Sequence, residues 1–131
     1  MSVAACGASA VHAARAVADH LLGFTYQWTT EAELQQAIWD VLPARFPADR
    51  ERSLSRRDRP DFIVDVDGMS VAIEVKVAGA RSMVLRQIGR YAEHDQVDAI
   101  ILASGRRVLA ARIPDVIHTK PVLAIHLGGL L

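Results

Sequence analysis

The sequence PDFIVDVDGMSVAIEVK, residues 60–76, predicts two strands joined by a tight turn. Residues 62–66 and 71–77 are rich in β-branched side chains, which favour strands. Between them lies Asp67-Gly68, a dipeptide typical of the two-residue turn of a β-hairpin. Such a turn determines the register of the hairpin. In every facing pair, the two residue numbers then add up to the same total.

The predicted register brings two acidic residues together. Asp61 lies opposite Glu74, and directly opposed side chains share one face of a sheet at about 5 Å. Lys76 points to the same face as Glu74, whereas the alternating residues from Val71 to Val77 form an apolar face. Adjacent carboxylates repel each other unless a cation lies between them, and oxygen ligands suit Mg²⁺ or Mn²⁺. A solvated outer face with a surface ion pair is the alternative interpretation.

Helical periodicity predicts three helices, which cover residues 8–22, Thr30 to Pro43, and Ser82 to about His94. Thr30 and Glu33 form a capping box at the start of the second helix, and Ser82 is expected to cap the third. These helices separate the hairpin from the two ends of the chain.

Apolar runs predict the remaining strands. Residues 97–103 form a continuous apolar run that is typical of a strand buried on both faces. Weaker candidates are residues 51–55, 108–113 and 122–127. The order of elements indicates a single α/β domain (1–131), with a central mixed β-sheet flanked by helices. Its expected parts are an N-terminal helical extension (1–29), a core (30–103) and C-terminal strands or a tail (104–131).

Composition restricts the functional classes further. The 15 basic and 15 acidic residues balance, so net charge indicates no particular partner. Cys6 is the only cysteine, which rules out an internal disulfide and indicates a reducing, cytoplasmic setting. Charged residues interrupt the first apolar segment, so no membrane span is expected. The five histidines are dispersed, and neither a glycine-rich phosphate loop nor a nucleophile with a base is apparent.

The order of these polar residues resembles the PD-(D/E)XK nuclease superfamily, in particular its RecB-like branch and small phage or resolvase-type members. The matching residues are Pro60-Asp61, Glu74-Val75-Lys76, Gln87 with Tyr91 in the following helix, and Glu31 in the preceding helix. The resemblance covers about residues 30–103. It implies a restriction-endonuclease-like core around the mixed sheet.

The resemblance also implies a role for each matching residue. Four residues would ligate Mg²⁺ or Mn²⁺, namely Asp61, Glu74, Glu31 and, through its carbonyl, Val75. Lys76 would orient the attacking water and stabilise the transition state. Gln87 and Tyr91, four residues apart on one helical face, would orient the active-site groups or contact the substrate.

The acidic residue of the second helix is open between Glu31 and Glu33. Glu31 extends the apolar stripe of Leu34 and Ile38 toward the sheet, whereas Glu33 aligns with the polar Asp40. Glu33 is also accounted for by the capping box. This spacing favours Glu31.

Arginines flank the predicted site on both sides, and their planar guanidinium groups suit phosphate. The candidates for DNA binding are Arg57, Arg59, Arg81, Arg86 and Arg90. Acidic residues dilute the segment before Asp61, so a solvated loop is an alternative there. No motif for reading bases in a groove is present.

These observations together predict a metal-dependent DNA nuclease that hydrolyses phosphodiester bonds in recombination, repair or phage DNA metabolism. A junction resolvase would have to be a homodimer, and the apolar residues 122–131 would either form its interface or complete the core. Two alternatives remain. One is a catalytically inactive nuclease-fold module that binds nucleic acid or protein, and the other is an unrelated α/β interaction domain.

Overall fold

The computed structural model describes residues 3–128, and side chains from residue 9 onward; the side chain of Cys6 and the last three residues of the tail lie outside that description. Four helices and six strands follow one another along the chain: α1 (Val3–Leu22), α2 (Glu31–Val41), β1 (Ala48–Arg50), β2 (Phe62–Val66), β3 (Met69–Lys76), α3 (Arg81–Ala92), β4 (Ala99–Ser104), α4 (Arg107–Ala110), β5 (Val116–Ile117) and β6 (Lys120–His126).

The strands form one sheet in the order β1-β2-β3-β4-β6-β5. The pairs β1-β2, β2-β3 and β5-β6 are antiparallel, whereas β3-β4 and β4-β6 are parallel. This confirms the predicted α/β class and its mixed sheet flanked by helices. The parallel β3-β4 pair is connected through α3.

The hairpin register is the one that the turn predicted. Val66 pairs with Met69 and Phe62 with Ile73, so the next position along the ladder places Asp61 beside Glu74. Asp67 and Gly68 both have positive φ, 52° and 86°, as a type I′ turn requires. Because β2 begins only at Phe62, which pairs with Ile73, while β3 continues to Lys76, the last residues of β3 have a free edge on that side.

Helices cover both faces of the sheet. The larger core lies between α1, α2 and the face that carries Phe62 and Val75. Residues predicted as an N-terminal extension are part of this core, since Ala14, Val17 and Leu21 of α1 are fully buried in it. On the opposite face α3 packs with Ala72 and Ile100, and a small third cluster includes α4.

Glu74 points to the α3 side and is only 4% exposed. The interpretation of this face as a solvated surface is therefore wrong. The sheet is buried on both sides, as is typical of strands connected by helical crossovers.

Three local predictions are wrong. The strand expected at residues 51–55 is β1 instead, three residues earlier, and Glu51 leaves it with a φ of 52°. Residues 108–113 contain α4 rather than a strand, because Leu109 packs between α3 and β4 with Val84 and Leu102. Ser82 does not cap α3, which begins one residue earlier with Ala80 at its N-cap and no side-chain cap bond.

The C-terminal apolar segment is part of the sheet as far as it is described. β6 lies between β4 and β5, and Val122, Ile125 and Leu127 are buried. These side chains therefore complete the core and are not available to a dimer interface. Among the described residues, no helix combines the length and the apolar character needed to cross a membrane.

The turn after β4 contains Gly105, where the ring of Trp28 leaves no space for a side chain. A Cβ at Gly105 would lie 2.2 Å from the ring of Trp28, which is itself held by a 3.1 Å hydrogen bond from its Nε1 to the Leu127 carbonyl. A Cβ at Gly89, on α3, would instead lie in open space.

We therefore expect Gly105→Ala to lower the free energy of unfolding by about 1–3 kcal/mol, because the ring must move out of a packed site. Gly89→Ala, the matched control, is expected to stabilise the protein by about 0.5–1 kcal/mol through the helix propensity of alanine. Urea denaturation measures both values. A Gly105→Ala protein as stable as the wild type would contradict this account of the turn.

Candidate active site

The carboxylate of Asp61 is held against the free edge of β3. Its Oδ2 accepts a 2.7 Å hydrogen bond from the Val75 N–H, and its Oδ1 accepts one of 3.1 Å from Nε2 of Gln35 on α2. The N–H and C=O of one strand residue point to the same side, so the Val75 carbonyl faces this edge as well. The role of that carbonyl as a metal ligand stays a prediction.

Glu74 is held from two sides. Its Oε1 accepts a 2.8 Å hydrogen bond from the Tyr91 hydroxyl, and Lys76 Nζ lies 3.1 Å from its Oε2. Lys76 is half-buried at the end of β3. The predicted trio of Asp61, Glu74 and Lys76 thus comes together at one place, with both carboxylates fixed by donors from other elements.

This placement changes the protonation of both acids. Burial first, and then the negative charge of Glu74, raise the pKa of Asp61 to about 7. Burial also raises the pKa of Glu74, although Lys76 and the Tyr91 hydroxyl oppose that effect. Burial and the two neighbouring carboxylates raise the pKa of Tyr91 in turn, which keeps its hydroxyl a hydrogen-bond donor.

Glu31, not Glu33, reaches the sheet. Oε1 of Glu31 accepts a 3.1 Å hydrogen bond from the Val77 N–H, one position beyond Lys76 on the free edge of β3. Glu33 is exposed, and it forms the capping box with Thr30 and accepts a further hydrogen bond from Thr29. The geometry agrees with the spacing argument that favoured Glu31.

Gln87 and Tyr91 act as a pair behind Glu74. Nε2 of Gln87 donates a 3.0 Å hydrogen bond to the Tyr91 hydroxyl oxygen. The single hydroxyl proton serves Glu74 at 2.8 Å, and the Arg59 carbonyl lies further away at 3.4 Å. Gln87 therefore orients the group that binds Glu74, and it also lines the cavity beside Lys76.

The predicted DNA-binding arginines fall into two groups. Arg57, Arg59 and Arg86 are exposed. Arg90 is instead paired with Asp58 at 2.8 Å, and Arg81 donates a 2.7 Å hydrogen bond to the Val108 carbonyl.

Asp58 was not among the predicted site residues, although it is only 5% exposed. Burial opposes its ionisation, but hydrogen bonds from His94 and Arg90 outweigh that effect and lower its pKa. These bonds attach the loop before Asp61 to α3. No pattern in the sequence indicated them, because Asp58 lies more than 30 residues from its partners.

Gln35 was not among the predicted site residues either, although its spacing from Glu31 could have indicated it. Gln35 lies four residues after Glu31, hence on the same face of α2, and both side chains bind β3 or its neighbour Asp61. A polar pair at that spacing, next to the apolar stripe, indicates a helix face directed at a polar site.

The donor set fits a hard divalent cation. Two repelling carboxylates and a backbone carbonyl meet at one strand edge, and all are oxygen ligands. In the part of the chain that the structure describes, no three His, Cys, Asp or Glu residues form a cluster that could hold a metal. Such a donor set suits Mg²⁺, which retains several waters and is commonly bound through one or two carboxylates together with substrate phosphates.

Comparisons of the chain with protein-family models, curated proteins and solved structures gave no match. The geometry of this site is therefore the basis for assigning a function.

The raised pKa of Asp61 makes the stability of the metal-free protein depend on pH. Between the ordinary pKa of an aspartate and about 7, the folded state binds more protons than the unfolded state. Stability is therefore highest at acidic pH within this window and falls as the pH rises through 7.

At about pH 8 and without divalent metal, we expect Asp61→Asn to be more stable than the wild type by roughly 1–3 kcal/mol. Asparagine keeps an acceptor for the Val75 N–H and removes the buried charge. Asp95→Asn, on an exposed turn, is the control and should change little. Denaturation at several pH values with EDTA measures these differences; a destabilised Asp61→Asn protein at pH 8 would refute the buried-charge account.

Proposed function

We propose that this protein is a metal-dependent deoxyribonuclease of the PD-(D/E)XK type, with a restriction-endonuclease-like core, that hydrolyses phosphodiester bonds with Mg²⁺ or Mn²⁺. The observation that carries the proposal is the pair of half-buried Asp61 and buried Glu74, with Lys76 3.1 Å from Glu74, at the free edge of β3. Burying two acids together costs stability, and a bound cation would offset that cost.

The residues around the pair keep the carboxylates in place. Gln35 and the Val75 N–H hold Asp61, and Tyr91 holds Glu74, so each carboxylate retains lone pairs for a ligand. Groups that orient the ligating residues in this way are usual around metal sites. A bound divalent cation would supply charge neutralisation at the phosphate and a lower pKa for water.

We expect Lys76 to stabilise the transition state. Its ammonium group is half-buried and lines a 310 Å³ cavity with Gly79, Gln87 and Arg90. A phosphate in this cavity would meet the cationic groups of Lys76 and Arg90 together. With a cation bound at Glu74, the Lys76 ammonium would be free to hold water or to stabilise charge on the phosphate oxygens.

Cleavage of labelled linear, circular single-stranded, flapped and four-way DNA with Mg²⁺ or Mn²⁺ tests the proposal. We expect Lys76→Ala and Asp61→Asn each to reduce cleavage at least about 100-fold, because each removes a group that acts on charge in the transition state. Asp65→Asn is the matched control, since Asp65 lies in β2, which directly follows Asp61, but is exposed.

If both site variants cut as fast as the Asp65→Asn control, the assignment is wrong. If the wild type binds DNA but cuts none of these substrates with either metal, the alternative of an inactive nuclease-fold binding module replaces it. The circular substrate separates internal cleavage from degradation that requires an end.

The second helix offers an internal comparison. Glu31 lies on the edge of β3 and Glu33 lies in the exposed capping box. We expect Glu31→Gln to reduce cleavage by about tenfold or more, because it removes a charge next to the site, whereas Glu33→Gln should alter stability by less than about 1 kcal/mol and leave the rate unchanged. A larger loss of rate in Glu33→Gln would reverse this assignment.

A further inference from the structure

The parallel pairing of β3 and β4 brings a second basic segment to the active site. Lys76 pairs with Ser104, and the Gly105 N–H donates a 3.0 Å hydrogen bond to the Lys76 carbonyl. Arg106 and Arg107 follow directly, at the start of α4. In the sequence they are 30 residues from Lys76, and nothing connected them with the site.

The turn that carries these arginines is held firmly. Oγ of Ser104, which is fully buried, accepts a hydrogen bond from the Arg106 N–H and donates one to the Arg106 carbonyl, both at 3.0 Å. Arg81, at the start of α3, binds the Val108 carbonyl at 2.7 Å. The backbone of the turn is thus fixed beside β3, while the side chains of Arg106 and Arg107 are exposed.

The positive charge here is not neutralised within the described residues. The ion pairs found between residues 9 and 128 involve none of Arg81, Arg106 and Arg107. In addition, Nε of Arg81 is buried without an acceptor. This contrasts with Arg90, whose charge is balanced by the buried Asp58.

The segment with Arg106 and Arg107 contacts the start of α3 through Arg81, whereas Arg90 lies near the end of this helix. The cavity beside Lys76 reaches along α3 to Arg90, and a second hollow continues from Arg90 to Arg57 and Arg86. Arg106 and Arg107 follow β4, which lies on the opposite side of β3 from β2 and the loop that carries Arg57. A DNA strand that crosses the site would therefore meet positive charge on both sides of the phosphodiester bond that lies at Lys76.

We propose that Arg106 and Arg107 bind backbone phosphates of the substrate strand, on the side of Lys76 away from Arg57 and Arg86. The inference deepens the proposed nuclease function and names the contact that continues the strand past the site. The recognised chemistry is the phosphodiester backbone of DNA, without base readout.

The test measures binding without cleavage. A fluorescein-labelled 24-nucleotide poly(dT) is titrated with protein in EDTA at several salt concentrations. Each phosphate contact on a single strand contributes about 0.7 to the slope of log K against log salt. We expect Arg106→Ala/Arg107→Ala to reduce that slope by about 1.4, and Arg106→Lys/Arg107→Lys to retain most of it.

Arg15→Ala/Arg45→Ala is the charge-matched control. Arg15 is exposed on α1, and Arg45 lies beside the hairpin turn at the other end of the sheet. Its slope should equal that of the wild type. Circular dichroism establishes that each variant is folded.

Equal slopes for the wild type, the Arg106/Arg107 alanine variant and the control would overturn the inference, as would a wild type that does not bind the oligonucleotide. The two proposals fail separately. If Lys76→Ala abolishes cleavage but the slopes are equal, the nuclease proposal stands alone. If the slope falls as expected but the wild type never cuts with Mg²⁺ or Mn²⁺, the phosphate-binding inference stands and the nuclease proposal fails.

Discussion

The pairing of β2 with β3 is the constraint on which the site depends. A two-residue type I′ turn at Asp67-Gly68 sets the register, and the register places Asp61 beside Glu74. Side chains alternate between the faces of a strand, so a shift by one residue would move Glu74 into the larger core and Val75 to the α3 side. The apolar pattern of β3 and the turn thus support the same register, and the position of the carboxylates follows from it.

The site is also stabilised by the unequal lengths of the two strands. β3 extends beyond Phe62, the first residue of β2. The N–H groups of Val75 and Val77 therefore have no strand partner on that side. Asp61 and Glu31 bind these two donors, so the acids satisfy the backbone while they converge on one edge. The same contacts keep the carboxylates close together against their mutual repulsion. Burial of Asp61 first, and then the charge of Glu74, raise the pKa of Asp61.

The charges around the edge are organised by contacts between distant segments. Asp58 attaches the arginine-rich loop to α3 and balances Arg90. On the other side of β3, the parallel strand β4 leads directly into the turn that carries Arg106 and Arg107. A chain with zero net charge therefore presents positive charge where the proposed substrate would pass, since the arrangement of charges and not their sum decides the local field.

Local sequence determined the helical periods, the hairpin and its register, and with them the meeting of Asp61, Glu74 and Lys76, because residues at most 15 positions apart interact through one turn. Helical spacing likewise favoured Glu31 over Glu33. Tertiary structure alone decided the burial of Glu74 beneath α3, the contacts of Asp58 and the approach of Arg106. It also made residues 107–110 a helix, since Leu109 packs against Val84 and Leu102. These features depend on contacts between segments far apart in the chain, and side-chain type and local spacing carry no information about which segments will meet.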